Sequence, residues 1–124
     1  MGLDQYVFIR NPNLTHEEYS APDLPEDQWD KELFYWRKHA DLQGWMERLY
    51  RSKGGTVPEF NCENLDLTLA DIEQLSDDHE TLPTTTGFFF GRSHPEHIEK
   101  TQQFISLATD LLRQGHQLYY TSWW

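Results

Sequence analysis

Apolar side chains come in blocks along this chain, and the spacing within each block predicts an element. Tyr6-Val7-Phe8-Ile9, near the start, is β-branched and aromatic with apolar groups on both faces. That pattern predicts a strand over 3–10 that is interior to a sheet or covered on both sides. Asn11-Pro12-Asn13 marks a turn. Thr15-His16-Glu17-Glu18 has capping-box spacing, and the two prolines of 21–25 mark a linker.

Residues 27–51 lie within the longest run without proline, 26–57, and are rich in aromatic side chains. We read them as the central helix, against which the rest of the chain is laid. At 100° per residue Trp29, Leu33, Trp36 and Ala40 form one narrow stripe, whereas Leu42, Trp45, Met46 and Leu49 fall on nearly the opposite side. Two readings follow. Either the helix bends at Gly44, a residue about 1 kcal/mol less favourable than Ala within a helix, or a partner covers its second face.

Ser52-Lys53-Gly54-Gly55 closes that helix, 56–64 reads as an irregular loop, and Leu65-Asp66-Leu67 as a short strand. Thr68 with Asp71 opens a second helix in capping-box style, with Ile72 and Leu75 on its buried side. The run 84–91 favours a strand, Gly87 permitting a bulge. Ser93-His94-Pro95-Glu96 predicts a helix start, with Ser93 as N-cap and Glu96 three residues on. Ile98, Thr101, Phe104, Ile105, Ala108, Leu111 and Leu112 then form one continuous stripe, and Gly115 is placed as the left-handed cap. A final strand covers 118–124. This order predicts a single α+β domain over 1–124: a small, mostly antiparallel sheet with two long helices and one short helix packed against it.

Charge narrows the function classes. Ten basic and 21 acidic residues give a net charge of −11. That balance argues against direct binding to nucleic-acid phosphates, permits a basic protein surface as partner, and favours solubility. Cys62 is the one cysteine, so no internal disulfide forms and a reducing compartment is expected. Met1-Gly2-Leu3-Asp4-Gln5 has neither the basic nor the apolar segment of a secretory leader, and no run of about 18 apolar residues is present to span a membrane.

Candidate chemistry is sparse. His94 and His97, three apart, could share a metal, but no third ligand is fixed by spacing, so a solvated helix start is the reading we adopt. Gly54-Gly55 lacks the spacing of a phosphate loop, and Cys62 has no base positioned beside it. We therefore expect no catalytic residues, no metal and no cofactor. Tyr35-Trp36-Arg37-Lys38, with Trp45 downstream, combines the side-chain types that dominate protein interfaces. A pocket lined by Thr84, Thr85, Thr86, Gly87 and Arg92 is the alternative site, for a small molecule or nucleotide.

Four blocks carry a resemblance: Met1-Gly2-Leu3-Asp4 before the first strand, Tyr35-Trp36-Arg37-Lys38 with Trp45, Leu82-Pro83-Thr84 running into Gly87-Phe88-Phe89-Phe90-Gly91, and Tyr120-Thr121-Ser122-Trp123. Together they resemble a small family of proteins encoded by tailed phages and prophages. The segment after Gly91 departs from that pattern, being rich in His where acidic and aromatic residues are expected. The resemblance implies a bacterial cytoplasm and an accessory role outside the virion, and brings no catalytic residues. The expectation is a phage-type accessory protein that binds a host or phage protein, for instance to inhibit a host enzyme or defence complex. Alternatives are a small-molecule or nucleotide-binding protein, including an enzyme, and a structural homodimer.

Overall fold

The computed structural model describes residues 2–10, 31–83, 85 and 93–124. Within them lie strands β1 (Asp4–Ile9), β2 (Lys31–Arg37), β3 (Leu65–Leu67) and β4 (Leu118–Trp123), and helices α1 (Ala40–Ser52), α2 (Leu69–Asp78) and α3 (Pro95–Arg113). The strands form one sheet in the order β2-β1-β4-β3, and each neighbouring pair is antiparallel. The small α+β fold with an antiparallel sheet is as expected.

Register sorts the side chains into two faces. Asp4 lies opposite Arg37 and Trp123, and Tyr6 opposite Tyr35 and Thr121. One residue on, Gln5 faces Trp36 and Ser122, and Val7 faces Phe34 and Tyr120. Because side chains alternate along a strand, Gln5, Val7, Phe34, Trp36, Leu118 and Tyr120 share a face with Leu65 and Leu67 of β3. That face carries the helices. Phe104 of α3 packs edge-on against Trp36 and at a tilt against Phe34, and Leu42 and Met46 of α1 with Ile72 and Leu75 of α2 complete one core with them. Between Val7 and Phe8 the register shifts: Phe34 and Glu32 are the partners of those two, so Leu33 is the extra residue of a bulge.

The central helix expected over 27–51 requires correction. Residues 31–37 are a strand, Lys38 turns the chain with φ 57°, and the helix begins only at Ala40. Leu33, Trp36 and Ala40 are spaced three and four apart and so mimic a helical stripe, but Leu33-Phe34-Tyr35-Trp36 is also a run of strand formers, and cross-strand pairing decides it. The apparent conflict between two stripes disappears with this assignment, since Leu42, Trp45, Met46 and Leu49 form the only stripe of the real helix. Nor does Gly44 break it. Gly44 is buried inside continuous α1, where Thr85 lies against it.

Both capping predictions for the later helices can be compared with the structure. Thr68 caps α2: its hydroxyl accepts from the Asp71 amide, and the Asp71 carboxylate accepts from the Thr68 amide at 2.8 Å. For α3 the cap is His94, one residue later than the expected Ser93, and the side chain that reaches back is His97 rather than Glu96. Ser93 is drawn away because its hydroxyl serves α1 instead. The other end of α3 is as expected: Gly115 has φ 94°, its amide bonds to Leu112, and His116 bonds to Leu111. The turn at 11–13, the cap at 15–18, the linker at 21–25, helix residues 27–30 and, except for Thr85, the strand at 84–91 lie outside the described residues.

Candidate functional site

Among the described residues, the corner where β2 hands over to α1 is held by several long-range contacts. Lys38 occupies the left-handed region, which disfavours a side chain with Cβ. Two contacts from the N-terminal strand hold it there. The Leu3 carbonyl accepts the Lys38 amide at 2.8 Å, and fully buried Gln5 clamps the next residue: its Oε1 accepts the His39 amide at 2.8 Å while its Nε2 donates to the His39 carbonyl at 3.0 Å. Gln5 Nε2 also donates to the Tyr120 hydroxyl at 3.0 Å; that hydroxyl donates to Gln43 Oε1, and Gln43 Nε2 donates to the Phe60 carbonyl at 3.2 Å. Gln5, Tyr120 and Gln43 are each fully buried and bonded, a condition under which a polar network fixes one core arrangement. Burial pushes the Tyr120 phenol well above its ordinary value, so it remains a donor.

His39, held by that clamp, presents its ring to α3. The ring stacks on His97 with centroids 4.6 Å apart and planes 9° from parallel. Both residues are buried, whereas neighbouring His94 is exposed. His97 Nδ1 accepts the His94 amide at 2.9 Å, so its proton resides on Nε2, which donates to the Arg37 carbonyl at 3.1 Å. His39 Nδ1 lies 2.6 Å from the Ser93 hydroxyl, which also accepts the Asp41 amide at 3.0 Å. Burial, and secondarily His97, lowers His39 to about 3. Burial also lowers His97, opposed by its bond to Arg37. The arrangement is therefore two neutral imidazoles in face-to-face contact, joining the start of α1 to the start of α3.

Beside this corner is a cavity of about 270 Å³ lined by His39, Asp41, His79, Ser93, His94 and Ile98 among others. His79 donates from Nδ1 to the Ser76 carbonyl at 2.8 Å. The Nε2 atoms of both His79 and His39 are buried without a hydrogen-bond partner among the described residues. Being closed to water, they do not present ligating atoms to the cavity. Among the described residues, no three His, Cys, Asp or Glu side chains lie where they could share a metal ion.

A second candidate lies on the face of the sheet away from the helices. Tyr6 is within 5.1 Å of Tyr35, 4.9 Å of Trp123 and 5.7 Å of Phe8, ring to ring. Arg37 and the Tyr35 hydroxyl both donate to Asp4 Oδ1, at 2.8 and 2.6 Å. Burial, then the bond to Asp4, raises the Tyr35 phenol, keeping it protonated. Trp123 is 45% exposed, and the Arg37 side chain is 50% exposed. An exposed Trp and Arg thus stand on a floor of half-buried Tyr rings.

The expected interface set is divided by the strand. Tyr35 and Arg37 point to this outer face, Trp36 is fully buried among the helices, and Lys38 sits at the corner. Trp45 is buried on α1 and donates to Asp78 at 3.0 Å. Of the alternative pocket only Thr85 is described; its amide donates to Asp41 at 2.9 Å, and Thr84, Thr86, Gly87 and Arg92 lie outside the described residues. Sequence reasoning leads to an expectation that Trp123-Trp124 docks onto the core or a neighbouring chain, but it does not pair Trp123 with Tyr6 on the outer face, for which alternation about Asp4 and Tyr6 is the available signal. It also missed the His39–His97 pair, which joins residues 58 positions apart and has no local signature. Comparison with protein-family models, curated proteins and solved structures finds no match to this chain.

Proposed function

We propose that this is a phage-type accessory protein that acts in the bacterial cytoplasm by binding another protein, and that the outer sheet face around Tyr6, Tyr35, Arg37 and Trp123 is where it binds. The observation that carries the reading is Trp123, a large apolar side chain left 45% exposed within 4.9 Å of Tyr6. Arg37, on the other side of Asp4 in the sheet, is held by an ion pair with it. Trp, Tyr and Arg are the side chains enriched at interface centres, where a pre-ordered aromatic floor loses little conformational entropy on binding. The charge of −11 favours a target with a basic surface, such as a host nucleic-acid enzyme or a defence complex that the protein would inhibit.

The experiment is affinity capture from nuclease-treated bacterial lysate with three baits: the unaltered protein, Trp123→Ala/Arg37→Ala, and Leu107→Ala. Leu107 is an exposed apolar residue on α3, outside the proposed face. The reading requires one dominant partner that the double variant loses and the Leu107 variant keeps. Equal capture by all three would exclude this face, and capture of nothing by a folded bait would exclude the function.

A further inference from the structure

We infer that the stacked His39–His97 pair is an acid-sensitive latch, which releases the first turn of α3 from the β2–α1 corner while the sheet stays folded. This stands apart from the binding reading and does not depend on it.

Hydrogen bonding alone makes the closed contact specific for uncharged rings. His97 Nδ1 accepts from an amide, so a proton added there would set one N–H against another across 2.9 Å. His39 Nε2 is buried with no hydrogen-bond partner among the described residues, so a charged His39 ring carries an N–H that none of them accepts. The rings are in face contact, which places any charge on one directly against the other. The contacts between the first turn of α3 and the corner run through these rings and Ser93: the stack, His97 to the Arg37 carbonyl, and Ser93 to His39 and Asp41. Further along α3 the attachment changes character. Thr101 accepts from the Trp36 indole at 3.2 Å, and Phe104 packs on Trp36. Neither contact titrates, so release stops there.

Surrounding charges do not rescue the protonated form. On α3, Glu96 favours charge on His97 while His94 and Lys100 oppose it. On the α1 side, Asp41 already accepts the Thr85 amide. At the end of α2, Glu80 lies 3.9 Å from His79 rather than at the stacked rings. Arg37 and Lys38 at the end of β2 are cations.

The sign follows from linkage. His39 is lowered from 6.5 to about 3 when closed and recovers its ordinary value when released, so protons favour the open state. The latch has full strength above about pH 7, weakens as pH falls through 6.5, and keeps weakening until about 3. Between about pH 7.5 and about pH 5 the opening constant rises roughly thirty-fold from His39 alone.

The test is amide hydrogen exchange by NMR across that pH range, expressed as opening constants corrected for intrinsic rates. The unaltered protein is compared with His39→Phe and with His97→Gln, which preserves one acceptor and one donor without titrating. The inference predicts a roughly thirty-fold rise in opening at the amides of 97–100, absent at Val7 and Tyr120, and reduced in both variants. Unchanged opening, a rise shared by Val7 and Tyr120, or a rise undiminished in the variants would overturn it. Should either variant fail to fold, the ring protons of the unaltered protein decide: a His39 midpoint well below 6.5 upholds the latch, and one near 6.5 refutes it.

Discussion

Gly44→Ala is a substitution whose effect the structure reverses relative to helix propensity alone. In an isolated helix it would stabilise by about 1 kcal/mol. Here a Cβ on residue 44 would lie 1.9 Å from Thr85 Oγ1, 2.9 Å from its Cβ and 3.0 Å from its Cγ2. Rotation about χ1 moves the Thr85 hydroxyl and methyl together but leaves the contact with its Cβ at 2.9 Å, so the Thr85 backbone must move. That backbone is tied to α1 by its amide, which donates to Asp41 at 2.9 Å. Overpacking of this kind costs about 1–3 kcal/mol, and losing a hydrogen bond to a carboxylate about 1.5–3 kcal/mol more if the segment withdraws. After the propensity gain, the net expectation for Gly44→Ala is therefore a loss of about 0–2 kcal/mol, rising to about 1.5–5 kcal/mol if the hydrogen bond is lost as well. Urea unfolding of the unaltered protein, both single variants and the double variant would measure it as a cycle. In a Thr85→Gly background the obstruction is gone, and Gly44→Ala should then stabilise by about 1 kcal/mol. If Gly44→Ala stabilised the otherwise unaltered protein to that extent, Thr85 would not be packed on α1 and the argument would fail.

Three further outcomes are expected. Tyr120→Phe should destabilise by about 1–3 kcal/mol, because it leaves buried Gln43 Oε1 without its donor, and chemical denaturation would register the change. Trp36→Ala should cost about 3–5 kcal/mol, whereas Trp123→Ala should leave the unfolding midpoint nearly unchanged yet remove partner capture; equal loss of stability in the two would contradict their assigned faces. Asp71→Ala should cost about 1–2 kcal/mol, since it removes the reciprocal cap of α2 and the ion pair with Lys53, and a thermal unfolding series would test it.

What could be read from the sequence was what is decided locally. The cap at Thr68, the left-handed Gly115 and the stripe of α3 each depend on side chains within a few positions of one another, and each is where the spacing placed it. β2 was lost to a coincidence of spacing. β2 is an edge strand in which only Trp36 is buried, but Leu33-Phe34-Tyr35-Trp36 is apolar at consecutive positions and shows no clear period of two, while Leu33, Trp36 and Ala40 supplied a helical one. The corner at Lys38 could not be read at all, because Lys carries no preference for a positive φ. Its conformation is imposed by Gln5 and Leu3, more than 30 residues earlier. The same holds for the candidate sites, where Trp123 meets Tyr6 and His39 meets His97 only after the sheet and α3 are in place.

The pairing of β1 with β4 has a consequence for how the protein is made. Asp4 lies opposite Trp123 and Ile9 opposite Leu118, so the two middle strands of the sheet come from opposite ends of the described chain. During synthesis β1 leaves the ribosome early and has to wait for its partner. Until 118–123 emerge, Val7 lacks its neighbour Tyr120, and the hydroxyl that links Gln5 to Gln43 is missing. Closing a loop of that length is an entropically slow step. The sheet thus stays incomplete, with β1 paired on one side only, until 118–123 have been made. Truncation before residue 118 would remove the centre of the sheet rather than trim its edge.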